Sequence, residues 1–190
     1  MACSKYKLTQ QINEEWDEYY YAFMIKYIDS LHKYNFGKNP NISMYLINKY
    51  CNKCWDFTNL SYNPNITLDF IEKNIDLNWC WSGLSKNPNI TIDFIKKYKT
   101  KNWYWRYLSE HPNITIEDIE NNPDLPWIWR HISANPNLTI EHIEKYPDKD
   151  WNWSSYGLSA NINIPIEYLI KQIINHNFLY IYNTKSKFIN

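Results

Sequence analysis

Trp55, Trp79, Trp103, Trp127 and Trp151 stand 24 residues apart without a slip. Behind each come an aromatic residue two places on, an aliphatic-Ser pair and an Asn-Pro-Asn-Ile-Thr-like segment. A fixed period of this length means one small supersecondary unit, which cannot bury its apolar side alone and must pack against copies of itself. Stability then adds up along the array instead of gathering in one core. The expected fold is all-α: a helical-repeat solenoid of 24-residue two-helix units. The array spans residues 39–164, between an N-terminal capping helix over 1–38 and a C-terminal capping helix and tail over 165–190.

Each unit reads as two short helices. The first is expected to start three residues before the first Trp, at Asn52, Asp76, Thr100, Asp124 or Asp148. All are residue types whose side-chain oxygens accept the free N–H groups of a first turn. Pro126 would then fall in a first turn, where its missing N–H costs little. This helix carries Trp-x-Trp-x-x-Leu-Ser and stops before Asn-Pro, because the residue ahead of a proline is pushed away from helical geometry. Pro40, Pro64, Pro88, Pro112 and Pro136 make the corner. Their Asn neighbours can bond local backbone, and an Asn above an Asn in the next copy can form a ladder. The second helix starts at Ser43, Thr67, Thr91, Thr115 or Thr139, with an acid in its first turn at Asp69, Asp93, Glu117 and Glu141. There a negative charge favours the helix dipole. Its apolar face is carried by Ile92, Ile95 and their counterparts.

The last copy departs from the pattern: Ser154-Ser155-Tyr156-Gly157 adds two residues, and the corner becomes Asn161-Ile162-Asn163. Longer helices are expected over residues 9–35 and 165–182, each covering one end of the array.

Nine of the ten Trp residues sit at repeat positions, so these rings supply much of the apolar area. Net charge is zero, from 20 basic and 20 acidic residues, so no long-range field attracts nucleic acid or an anionic membrane. No apolar run reaches membrane-span length. The opening MACSKYKLTQ has no signal-peptide core, and four unevenly placed Cys fit a reducing, intracellular setting.

The sequence Asp-x-x-Trp-x-Trp-x-x-Leu-Ser-x-Asn-Pro-Asn-Ile-Thr-x-Glu-x-Ile over residues 39–170 resembles the Trp/Asn-Pro repeat proteins of mimivirus-type giant DNA viruses. Usage rich in Asn, Ile, Lys and Tyr, as an A/T-rich genome would give, fits that resemblance. It implies a viral protein of the host-cell cytoplasm or the virion, not secreted. The period also resembles the leucine-rich repeat variant solenoids, which are right-handed and without sheet, although Trp stands here where that family favours small aliphatics. Neither resemblance brings a catalytic residue or a cofactor.

The chain holds one CxxC, Cys51-Asn52-Lys53-Cys54. Zinc would need two further ligands, for which His32 and Cys80 are the nearest candidates. The pair reads as repeat filler, with metal binding or redox use as the alternatives. The His residues form no HExxH, and His111 replaces the first Asn of a corner, where it takes the role of Asn. The acids Asp69, Glu117, Asp118 and Glu141 read as caps rather than as an acid–base pair. With three Gly in the chain, no Gly-rich phosphate cradle is possible. The Trp series reads as core rather than as base-stacking platforms. No catalytic residue, metal or cofactor is implied.

Function is sought where copies differ. In the first helix the slots one, three and four residues after the first Trp vary: Asp56, Thr58, Asn59; Cys80, Ser82, Gly83; Tyr104, Arg106, Tyr107; Ile128, Arg130, His131. The only two Arg residues, Arg106 and Arg130, occupy equivalent slots in successive copies. Tyr104, Arg106, Tyr107, Ile128, Arg130 and His131 are therefore the expected partner-binding residues, since Tyr and Arg are enriched in binding hot spots. The expected function is a non-enzymatic protein–protein interaction module or scaffold with a protein partner and no membrane. The alternatives are nucleic-acid binding, which the charge disfavours, and self-association in an assembly.

Overall fold

The structure, a computed structural model, describes residues 2–27, 36–49, 55–172 and 174. Among these, every regular element is helical and none is a strand. Helix α1 is Ala2–Tyr27, followed by a 3-10 turn at Phe36–Lys38, α2 Met44–Lys49 and α3 Phe57–Leu60. Then come α4 Leu68–Lys73, α5 Trp81–Leu84, α6 Ile92–Lys97, α7 Trp105–Ser109, α8 Ile116–Asn121, α9 Trp129–Ile132 and α10 Ile140–Lys145. A second 3-10 turn lies at Leu158–Ala160, and α11 begins at residue 166. The chain divides into two compact units, Met1–Trp103 and Tyr104–Asn190.

The second helix of each copy forms as its caps dictate. Thr67 and Thr91 accept from the backbone N–H of Phe70 and Phe94. Thr115 and Asp118 close a reciprocal capping box, in which the Asp118 carboxylate accepts from the Thr115 N–H at 2.9 Å. At Thr139 the imidazole of His142 accepts that bond instead, at 3.1 Å. Ile71, Ile95, Ile119 and Ile143 are buried, whereas Ile92 is half-buried and the neighbouring Phe94 takes its place in the core.

The first helix of each copy is shorter than expected. Asp76, Thr100, Asp124 and Asp148 lie in the turns after the preceding helix, and Pro126 lies in the extended stretch ahead of Trp127; Asn52 is outside the described residues. The helix begins at the second aromatic, behind Cys80, Tyr104 or Ile128 in extended geometry. Two bonds hold the first Trp and its successor out of the helix. The indole N–H groups of Trp79, Trp103, Trp127 and Trp151 donate to the carbonyls of Asn74, Tyr98, Asn122 and Tyr146, at 2.8–3.0 Å. The next backbone N–H, in Cys80, Ile128 and Asn152, donates to the hydroxyl of Ser61, Ser109 and Ser133 one copy earlier. A side-chain N-cap three residues upstream has no free helix start left to satisfy.

Within each unit the corner motif ties a copy to the one before it. The Asn63 amide donates to the carbonyls of Asn39 and Ile42, and Asn87 donates to those of Asn63 and Ile66. In the second unit Asn135 donates to Ser109, His111 and Ile114, and Asn161 to Ser133 and Asn135. The amide oxygens of Asn63, Asn87, Asn135 and Asn161 each accept from the N–H two residues on. At His111 the ring Nδ1 does this work, accepting from the Asn113 N–H at 3.2 Å. The outer Asn residues add a parallel strip, with Asn65, Asn89 and Asn137 donating to Pro40, Pro64 and Pro112.

An aromatic seam runs beside this ladder. Edge-to-face contacts join Phe57 to Trp79, Trp81 to Trp103, Trp105 to Trp127, and Trp129 to Trp151, with ring centres 4.9–5.3 Å apart. In the last copy the two added residues replace the helix with the 3-10 turn, and the Leu158 N–H closes onto the Asn152 carbonyl at 2.7 Å. Any Cβ on Gly157 would lie 2.0 Å from that same oxygen, so only glycine permits the closure. Asn161 keeps its ladder bonds although its Pro has become Ile162.

Helix α1 is seated on α2 by Tyr20, which accepts from Asn39 at 2.8 Å, and by Glu18, which accepts from Tyr45 at 2.9 Å and pairs with Lys49. Tyr21 is buried and packs towards Trp55. Of the helix expected over 9–35, α1 supplies the portion to Tyr27 and extends it back to Ala2; residues 28–35 are outside the described set, as are 173 and 175–182 of the C-terminal helix.

Two predictions follow from the ladder and the seam. Asn87→Ala removes three hydrogen bonds at a buried site and should cost about 2–4 kcal/mol, with Asn87→Asp costing more because it trades the donors for a buried charge. Trp79→Ala, in the buried series, should cost about 3–5 kcal/mol. Urea unfolding followed by circular dichroism checks both, with the exposed Lys86→Ala as a control expected to stay within about 0.5 kcal/mol of wild type.

Candidate functional site

All six expected partner-binding residues lie in the second unit, on or beside α7 and α9, which pack together. Tyr104 and Ile128 precede their helices in extended geometry, which turns both side chains outwards; Tyr104 is 44% exposed. Tyr104 and Tyr107 lie three apart and their rings meet at 4.6 Å. Arg130 is exposed, and Tyr107 and His131 are half-buried.

The arrangement has a centre that the search among variable slots missed, Glu110. Its carboxylate lies 3.7 Å from the Arg106 guanidinium and 2.6 Å from His131 Nδ1. It therefore braces one residue from each copy. Glu110 stands just before His111-Pro112, at a slot that holds Tyr62, Lys86 and Ala134 elsewhere. Comparing that slot across copies would have found it. The resulting ridge offers two Tyr rings, one Ile and two guanidinium groups, with a single carboxylate fixing Arg106. Such a surface can take up a planar or acidic side chain by stacking and bidentate bonding.

A second recurrent cluster appears at an interval of two copies. Glu72 pairs with Lys97 at 2.7 Å, and Lys101 lies over the Trp81 ring, which faces Tyr98. Glu120 pairs with Lys145 at 2.8 Å, and Lys149 lies over the Trp129 ring, which faces Tyr146. The second of these borders a pocket of about 220 Å³ lined by Leu125, Trp127, Trp129, Tyr146 and Lys149. Its cation positions are filled by the chain's own lysines, so it serves as a brace between copies. The Lys145 ammonium holds the Glu120 carboxyl below the usual carboxylate range, and Glu120 in turn raises Lys145; Glu72 raises Lys97 likewise.

Cys80 lies 3.2 Å from the Ser82 hydroxyl and 3.7 Å from the Tyr62 hydroxyl. Burial pushes its thiol up, but hydrogen bonds from Ser82, Tyr62 and backbone N–H groups outweigh this and bring it below its ordinary value. Cys51, Cys54 and His32 lie outside the described residues. Among the described residues, no group of three His, Cys, Asp or Glu side chains could hold a metal, and no helix is long and apolar enough to cross a membrane. Compared with known proteins, the chain matches no family, no curated sequence and no solved structure.

The Glu120–Lys145 brace has a definite pH dependence. A carboxyl held low stabilises the fold above the usual carboxylate range, and the gain is lost as pH falls through the lowered value. A lysine held high loses its gain as pH rises beyond the usual lysine range. Glu120→Gln should therefore be slightly less stable than wild type at neutral pH, the attraction being screened by solvent, with the difference lost as pH falls through the lowered carboxyl value. Thermal melts of both proteins across pH measure it.

Proposed function

We propose that this chain is a helical-repeat solenoid acting as a non-enzymatic protein–protein interaction module, and that its contact face is the α7–α9 ridge. The observation that carries this reading is the run of exposed Tyr104, Arg106, Ile128 and Arg130 on α7 and α9 beside half-buried Tyr107 and His131, with the Glu110 carboxylate between Arg106 and His131. At this place successive copies, otherwise alike, present different and mutually adjacent side chains. The ladder and seam keep the backbone fixed beneath them, so little ordering entropy is lost on binding. The ridge combines aromatic area with two guanidinium groups, of which Glu110 holds that of Arg106, a composition enriched where proteins bind proteins. An acidic, aromatic-bearing segment is its natural complement. The resemblance to giant-virus repeat proteins supports a partner found in an infected cell.

The test pairs wild type with Arg106→Ala/Arg130→Ala. Both side chains are exposed, so the melting temperature should be unchanged. A protein recovered with tagged wild type from its native cells should bind the purified chain directly, and the double variant should weaken that binding at least tenfold. Undiminished binding by the double variant would sink the assignment of this face.

A further inference from the structure

The two residues added after Trp151-Asn152-Trp153 stand between anchors that earlier copies share. Ahead of them, the Asn152 N–H donates to Ser133 and the Trp151 indole to Tyr146, as Ile128 and Trp127 donate to Ser109 and Asn122. Behind them, Leu158 is fully buried, like Leu108 and Ile132. In those two copies the chain between the same anchors is α7, with Arg106 and Tyr107, or α9, with Arg130 and His131. The turn over residues 154–157 therefore stands where the next helix of the ridge would be.

That turn is built to hold one side chain outwards. Asn152 Oδ1 accepts from the Ser154 N–H at 3.1 Å, Ser154 Oγ from the Tyr156 N–H at 3.3 Å, and the Ser154 carbonyl from the Gly157 N–H at 2.9 Å. Gly157 is buried against Asn152, which closes the turn at its base. Tyr156, between these bonds, is 86% exposed. A tyrosine presented on a fixed turn loses little entropy when a partner covers its ring. The charge of the surface is one-sided as well. Residues 104–107, 128–131 and 154–157 hold two guanidinium groups and no acid. The carboxylate beside them, Glu110, is engaged by Arg106 and His131, whereas Arg130 has no ion-pair partner among the described residues.

We propose that the ridge continues onto a third copy through Tyr156, and that its occupant is an extended acidic segment of a partner protein, laid across α7, α9 and the turn over residues 154–157. This rests on the reading of α7 and α9 as the contact face. Packed helices stand about 8–10 Å apart, and an extended chain rises about 3.3 Å per residue. One step along the array is thus about three residues of such a segment, so acids at that spacing meet Arg106 and Arg130 in turn. The next step brings an apolar or aromatic side chain onto Tyr156. A helical segment rises only about 1.5 Å per residue and would need the same side chains about six places apart.

Random dodecapeptides displayed on phage and selected on the immobilised full chain test it. Enriched peptides should carry two acids about three places apart, with an apolar or aromatic residue about three places beyond one of them. Binding of these peptides in solution, read by fluorescence anisotropy, should weaken about fivefold or more with Tyr156→Ala and stay near wild type with Tyr156→Phe. Arg106→Ala/Arg130→Ala should weaken it too. All three positions are exposed, so thermal melts should be unchanged. Peptides that need the two Arg residues but ignore Tyr156→Ala overturn the third copy and leave α7 and α9 as the contact face. Peptides indifferent to every one of these variants overturn both readings. No enrichment, or enrichment of peptides without that acid spacing, overturns the extended acidic occupant.

Discussion

The side-chain amide of the first corner Asn is the group on which the remaining packing depends. One primary amide can donate twice and accept, and at Asn87 all three capacities are used: the carbonyls of Asn63 and Ile66 on one side, the N–H of Asn89 on the other. The backbone leaving a short helix would otherwise bury unpaired carbonyls, at a cost comparable to a lost hydrogen bond for each. Helices of four to six residues cannot stabilise themselves, since nucleation outweighs propagation at that length. They persist because the preceding copy's carbonyls are held at a fixed distance by a side chain of fixed length. That constraint sets the period. A shift of one residue would move the donor off its carbonyls and the Trp off its partner ring together.

The apolar contribution is layered on this polar frame. Leu60, Leu84, Leu108, Ile132 and Leu158 are fully buried, as are Ile42, Ile66, Ile90, Ile114 and Leu138. The serine after each of the first series has a separate task. Ser61 donates to Phe57 within its own helix and accepts from Cys80 of the next copy, so one hydroxyl closes a helix and opens its successor. Replacing it by alanine would leave a buried N–H unpaired, which explains why the aliphatic residue is followed by this polar one at full burial.

Much of this was legible beforehand. The period, the Thr caps, the corner and the substitution of His111 for Asn all rest on local chemistry that a sequence carries openly. The start of the first helix was not legible. Asp76 and Asp124 are excellent caps by type, yet the indole and serine bonds between copies override them, and those are invisible to local propensity. Glu110 was missed for a related reason: its meaning lies in the approach of α7 to α9, which brings His131 to it across 21 residues. The second aromatic of each copy was expected in the core beside the first. It is half-buried instead, because its edge meets the next Trp while its outer face stays open to lysines such as Lys149.

The ladder also has a direction. The amides of Asn63, Asn87, Asn135 and Asn161 all donate towards the copy that precedes them in sequence, and the waiting groups on that copy are carbonyls. A carbonyl left uncovered bonds to water until its protein donor arrives. On a ribosome the carbonyls of Asn63 and Ile66 therefore emerge first and are hydrated without strain until Asn87 arrives to replace the water. Synthesis and bonding run the same way, so each completed copy is a template for the one still being made.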